Sequence, residues 1–251
     1  MIEQKTKCEE ETLLSIESLK EIAERKFDEW QKANDRYQRA LSINYKYLED
    51  KFICYNDNGY DVYYTVSSEE KKDGEKAIVL DLRKEESVES LPFFFSTLDA
   101  LVNNAGIFTE GKQESLPSSL FDEVFDVNMK GLFLVTKALL PLLKASDGAI
   151  VNISSMNAIH PGFGTTAHYD ASKGAVSAYT RSLASETSLR VNAVAPGLIE
   201  RQGLLGSELE KHWKAHTGGR EMMKTEDIAK LVYFLSEARG IYGQTILIDN
   251  G

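Results

Sequence analysis

The sequence predicts an α/β fold: a doubly wound parallel sheet with an added N-terminal amphipathic helix. Three observations predict it. Short apolar runs bounded by turn residues alternate with helix-length segments from about residue 60 onward, the pattern of a parallel sheet covered on both faces. The length of 251 residues suits one such domain. A composition of 42% hydrophobic and 27% charged residues suits a globular chain. A domain of this size buries roughly three quarters of its unfolded surface, so its core needs neither metal nor disulfide.

Residues 1–38 are read as a helical extension and 39–251 as the sheet domain. Thr12 to Tyr37 contains no Gly or Pro. Ile16, Leu19, Ala23, Trp30, Ala33 and Tyr37 recur in steps of three, four and seven, with Ile22 and Phe27 alongside. Such a helix either docks on its own domain or is presented to a partner, and the residues favour neither reading. Tyr60 to Val66 follows the turn Asn56-Asp57-Asn58-Gly59 and is read as a strand, as are the apolar runs Ala77 to Leu82 and Leu98 to Val102. Ser119 to Leu143 is read as one helix, with Ser119 as its cap and Pro141 kinking its end. Ala149 to Ser154 is a strand and Tyr169 to Glu186 a helix. Arg190 to Ala195 is a strand closed by Pro196-Gly197. Thr225 is placed to cap a helix whose buried stripe is Ile228, Leu231, Val232 and Leu235, and Thr245 to Ile248 is the last strand.

The net charge of −10, from 29 basic and 39 acidic residues, argues against nonspecific nucleic-acid binding. No apolar run approaches the roughly 20 residues of a spanning helix. The charged start from Glu3 is unlike a secretory signal. Cys8 and Cys54 read as free thiols, and a cytoplasmic location is expected.

Chemistry concentrates at Ser155, Tyr169 and Lys173. Tyr169 and Lys173 are four apart on a predicted helix and share a face. An ammonium beside a phenol favours the phenolate, so Lys173 is expected to lower the Tyr169 pKa toward neutrality and make it a proton donor and acceptor. Ser155 follows a predicted strand, where open α/β sheets place their ligand crevice.

With these residues stand Asn103-Asn104-Ala105-Gly106, Asn128 in Val127-Asn128-Met129-Lys130-Gly131, Ile153-Ser154-Ser155, Tyr169-Asp170-Ala171-Ser172-Lys173, Val191-Asn192-Ala193-Val194-Ala195-Pro196-Gly197, and Gly243-Gln244-Thr245. In this order and spacing they resemble the short-chain dehydrogenase/reductase family, and most of all its 3-oxoacyl-acyl-carrier-protein-reductase-like branch. The resemblance is firm over about 76–251. It implies a Rossmann-like fold and an NAD(P)-dependent oxidoreductase interconverting a carbonyl and a secondary alcohol. By resemblance Tyr169 is the acid or base, and Lys173 tunes it and holds the nicotinamide ribose. Ser155 orients the substrate oxygen, and Asn128 holds a water linking Lys173 to solvent. Asp81 and Leu82 lie against the adenine. Asn103, Ala105 and Gly106 line the adenosine side, and Pro196, Gly197 and Ile199 approach the carboxamide. The resemblance also implies a small-molecule carbonyl or alcohol substrate. It implies assembly through the helices bearing Asn128 and Tyr169, as a homo-oligomer or with a related reductase subunit; no nucleic acid, membrane or metal is implied.

One family feature is missing. The first glycine of the chain is Gly59, so the glycine-rich turn after the first strand is absent. Alignment puts that strand at Leu41 to Asn44, the turn at Tyr45 to Tyr47 and a short helix from Leu48 to Tyr55. NADP(H) is the expected cofactor if a dinucleotide binds, since Ser67-Ser68 offers no acidic residue to the ribose. The alternative is a cofactor-free, non-catalytic subunit that pairs with a complete short-chain reductase. His212 and His216 have metal-compatible spacing but no accompanying cluster, and read as a solvated helix face. Residues 199–222 are expected to form a substrate-facing lid, and Met156, His160 and Phe163 either line the pocket or pack.

Overall fold

The computed structural model describes residues 63–66, 77–162, 164–200 and 204–251. The amphipathic helix at 12–37, the first strand with its turn and helix at 41–55, both cysteines, Ser67-Ser68 and Phe163 lie outside the described residues.

Six parallel strands are described: β1 (Tyr64–Val66), β2 (Ala77–Val79), β3 (Ala100–Asn103), β4 (Ala149–Ile153), β5 (Arg190–Pro196) and β6 (Thr245–Ile248). β1 pairs with β2, and β3-β4-β5-β6 form a four-stranded sheet in sequence order. Between them run α1 (Glu85–Glu89), α2 (Ser118–Phe125), α3 (Leu132–Ser146), α4 (Ala167–Thr187), α5 (Glu208–His216) and α6 (Thr225–Glu237). Parallel pairing requires crossovers, and in the four-stranded sheet the helices between its strands supply them. Among the described residues, no helix is long and apolar enough to cross a membrane.

The central strands are buried on both faces, which is why β4 and β5 read as continuous apolar runs. On one face Ile150 and Val191 pack with Leu134, Leu139 and Leu143 of α3 and Leu183 of α4. On the other, Val151, Ile153 and Val194 pack with Ile228, Val232 and Leu235 of α6. Each fully buried aliphatic side chain contributes about 1.5–3 kcal/mol of transfer free energy.

Three local expectations change. The helix read as continuous from Ser119 is interrupted by a π-helical turn, Asp126–Gly131, which joins α2 to α3. Ser119 lies inside α2, after a Pro117 cap, and Thr225 is the first residue of α6 with Lys224 as its cap. Pro141 sits within α3, which continues to Ser146, where Asp147 at φ 53° stops it in the left-handed region.

Candidate active site

The C-terminal end of β4 delivers Ser155, and the first turns of α4 deliver Tyr169 and Lys173. Ser155 is buried, and its Oγ accepts from Asn157 N at 3.2 Å, capping the short 3₁₀ turn Met156–Ala158. The same hydroxyl neighbours the phenol of Tyr169 and favours its phenolate. Lys173 is 5% exposed and donates from Nζ to Ile153 O at 2.8 Å, while Nζ lies 6.0 Å from the Tyr169 ring centroid.

This geometry reverses the electrostatic expectation. Desolvation pushes Tyr169 up to about 12; the Ser155 hydrogen bond pulls it down, and the Asp170 carboxylate adds a further rise. Burial also pushes Lys173 down to about 8. Taking the phenol out of water therefore outweighs the expected help from Lys173.

Asn128 sits in the π-helical turn, 1% exposed. Its Nδ2 donates to Ile107 O (2.9 Å) and Ser172 Oγ (3.0 Å), and its Oδ1 accepts from Ile107 N (2.7 Å). Ser172 Oγ in turn donates to Tyr169 O at 2.7 Å. The carboxamide thus ties the segment after β3 to the helix bearing Tyr169, with both amide donors engaged.

Of the residues read as cofactor-facing, Gly106 is held against Asn128 and Lys173. A Cβ there would meet Asn128 Oδ1 at 3.1 Å and Lys173 Nζ at 3.2 Å. Ala105 beside it is exposed. Asn103 points elsewhere: its Nδ2 donates to Thr136 Oγ1 (3.0 Å) and Asn152 Oδ1 (2.9 Å), so anything it offers a ligand comes from its main chain. Asp81 carries the Arg83 guanidinium, at 2.9 Å to Oδ1 and 3.2 Å to Oδ2, and that pairing holds its carboxyl below the usual range. Leu82 packs on Gly131, where a Cβ would lie 2.9 Å from its own.

Pro196 is buried at the end of β5. Gly197 is pressed between Asp249 and Trp213, at 2.6 and 2.7 Å from where a Cβ would be. Ile199 bridges Met223 in parallel register, with Met223 N donating to Leu198 O and Glu200 N to Met223 O. In that register the amide and carbonyl of Ile199 itself face the opposite side. Gly106 and Lys173 thus lie together, while Pro196, Gly197 and Ile199 continue the chain from the C-terminal end of β5.

The described part of the lid segment packs through its own small core of Leu204, Trp213 and Met222, with Met156 against it. His160 is exposed, as is His212; the His216 side chain lies outside the described residues. Among the described residues no group of three or more His, Cys, Asp or Glu side chains is arranged to hold a metal ion.

Sequence reasoning missed Phe108, Thr109 and His168. The Phe108 ring meets Tyr169 edge-on, with centroids 4.9 Å apart. Thr109 Oγ1 and His168 Nε2 are 2.7 Å apart. The one available signal was the adjacency of His168 to Tyr169.

Fold and site together define a doubly wound α/β protein with a Ser-Tyr-Lys cluster at its strand ends. Residues 52–251 match the family described as enoyl-(acyl carrier protein) reductase. The chain is 36% identical over 162 residues to trans-4-hydroxycyclohexanecarboxylate dehydrogenase of Sinomonas cyclohexanicum, covering 62% of this chain and 61% of that protein. It is 36% identical over 176 residues to a 3-oxoacyl-(acyl-carrier-protein) reductase of Thermotoga maritima, covering 66% of this chain and 70% of that one. The solved structure of ElxO with NADP bound superimposes with a TM-score of 0.72 at 28% identity, over 82% of this chain and 94% of that one. The chain belongs to the short-chain dehydrogenase/reductase family and is 3-oxoacyl-acyl-carrier-protein-reductase-like.

Proposed function

We propose that the chain is an NADP-dependent oxidoreductase of small carbonyl compounds and secondary alcohols, with Tyr169 as its acid. The observation that carries this reading is the cluster of buried Ser155 and Lys173 with the half-buried Tyr169, one helical turn from Lys173, in which the Ser155 hydroxyl favours the phenolate. Support for the cofactor comes from ElxO, a structural neighbour at 28% identity solved with NADP, and from the placement of Gly106 against Lys173. A bound dinucleotide supplies or receives the hydride; the protein's part is the proton and the alignment.

In the reduction direction the substrate oxygen accepts from Ser155 Oγ and Tyr169 Oη, and the phenolic proton passes to that oxygen. A phenol at about 12 is protonated at neutral pH, so the acid required for carbonyl reduction is in place. Lys173 has two ammonium donors beyond the one on Ile153 O, and in this reading they would serve the nicotinamide ribose. A proton-relay water near Asn128 would be held by main chain, because the carboxamide donors are engaged. Phe121 and Phe133 are exposed on α2 and α3, and Phe133 meets Tyr179 of α4 edge-on at 6.3 Å, which suits assembly through these helices.

The second reading, a cofactor-free partner subunit, is favoured by the absence of glycine before Gly59. Calorimetric titration with NADPH and then NADH separates the two. Micromolar NADPH binding is expected; a folded chain that binds neither supports the partner subunit. Given binding and turnover, Y169F is expected to lower carbonyl reduction by about 10³-fold, and unchanged turnover would overturn the acid role.

A further inference from the structure

The segment after β3 crosses directly over the phenol of Tyr169. It is tied at one end by Ile107 to Asn128, and at the other by Gly111 N to Thr165 O at 2.8 Å. Between these ties the segment reaches α4 through the hydrogen bond between Thr109 Oγ1 and His168 Nε2. His168 is 3% exposed and immediately precedes Tyr169. It takes no part in the proposed chemistry. A buried imidazole left without a partner is costly, so the bond to Thr109 holds both ends in one place. Phe108, next to Thr109, is thereby set edge-on against the Tyr169 ring, with the planes at 79°.

We propose that Thr109 and His168 form a latch that seats Phe108 on Tyr169, which makes His168 and Thr109 positioning residues for the tyrosine. The catalytic importance of the latch rests on the acid role assigned to Tyr169 above; its existence does not. With the latch shut, the Phe108 ring keeps water from one side of the phenol. The other polar groups around Tyr169 are the Ser155 hydroxyl, Lys173 and Asp170. Asp170 is itself held by Asn157 Nδ2 (2.7 Å) and Gly162 N (3.0 Å). Of these groups and the ring, only the ring depends on the loop, so loosening the loop changes the hydration of the phenol and leaves Ser155 beside it.

The test follows the ionisation of Tyr169 in the full-length chain labelled with ¹³C at the tyrosine ζ carbon. The Tyr169 signal is identified among 11 tyrosines by its loss in Y169F. Spectra run to pH 11, with circular dichroism confirming the fold at each point. The wild-type signal is expected to stay put, as befits a phenol held near 12. F108A is expected to bring the midpoint below 11, toward the ordinary value of 10. T109V and H168L are expected to do the same, and H168Q, whose amide can still bond Thr109, to restore wild-type behaviour. Wild-type titration in T109V and H168L, alongside a shift in F108A, would show that the ring is seated without the latch and overturn the proposal. So would an unshifted F108A. If H168L fails to fold, T109V reads the same bond from the half-buried loop side. The measurement uses neither cofactor nor substrate, so a chain that fails to bind NADPH can still reveal the latch, and an active chain can still lack it.

Discussion

The two faces of the sheet are built differently. Toward α6 the seam is apolar, and its buried strand asparagine, Asn192, bonds main chain only: it donates to Ile241 O and accepts from Gln244 N. Toward α3 and α4 a side-chain ladder crosses the seam. Asn103 bonds Thr136 of α3 and Asn152; Asn152 bonds Thr180 of α4 at 2.9 Å; Thr180 Oγ1 donates to Val176 O. An apolar seam tolerates sliding by fractions of a turn, whereas a ladder of buried amides and hydroxyls is satisfied in one register only. The face with the ladder carries the helices whose register matters, since α4 holds Tyr169 and Lys173 and α3 follows directly from the turn holding Asn128.

The largest stability effect should come from breaking that ladder. N152A removes an acceptor from Asn103 and a donor to Thr180 in a fully buried seam, and should destabilise by about 4 kcal/mol in urea unfolding. It should also lower activity in whatever fraction stays folded. An unchanged Tyr169 environment in that fraction would mean the ladder does not set the helix register.

A smaller effect concerns Lys173. Its folded pKa of about 8 lies below the unfolded 10.5, so between those values the unfolded chain binds more protons than the folded one. Stability contributed through this group is therefore least below pH 8 and rises toward pH 10.5, by on the order of 3 kcal/mol at most. K173M should flatten that rise in denaturation curves taken from pH 7.5 to 10. A slope identical to wild type would mean that Lys173 is hydrated in solution.

The smallest effect is the control on the other face. I228V removes one methylene from the α6 seam and should cost about 1 kcal/mol with activity unchanged. A loss of activity from I228V would remove the distinction between the two faces.

Much of this was readable in the sequence where the signal is local. The four-residue spacing of Tyr169 and Lys173 and the strand-end place of Ser155 required no tertiary knowledge, and Thr245 to Ile248 is β6 to the residue. Other features were hidden for definite reasons. A strand buried on both faces has no polar side, so the direction of the Asn103 amide could not be read from alternation. The direction of the Tyr169 shift depended on the burial of the phenol, which the tertiary fold sets and the Tyr-Lys spacing does not. Thr109 and His168 are 59 residues apart, and neither carries a local mark of the other.

The π-helical turn at Asp126–Gly131 has a consequence for how the long helix is aimed. Val124 on α2 and Leu132 on α3 are both buried against the core, yet they are eight residues apart. On a uniform α-helix of about 100° per residue they would sit roughly 80° apart around the axis. The extra residue absorbed by the wide turn brings them within about 20° of one another. The turn is thus an angular correction between two halves of one rod. With it, Asn128, Thr136 and the leucines of α3 all address the same wall; without it, satisfying the core would turn the asparagine out of the site.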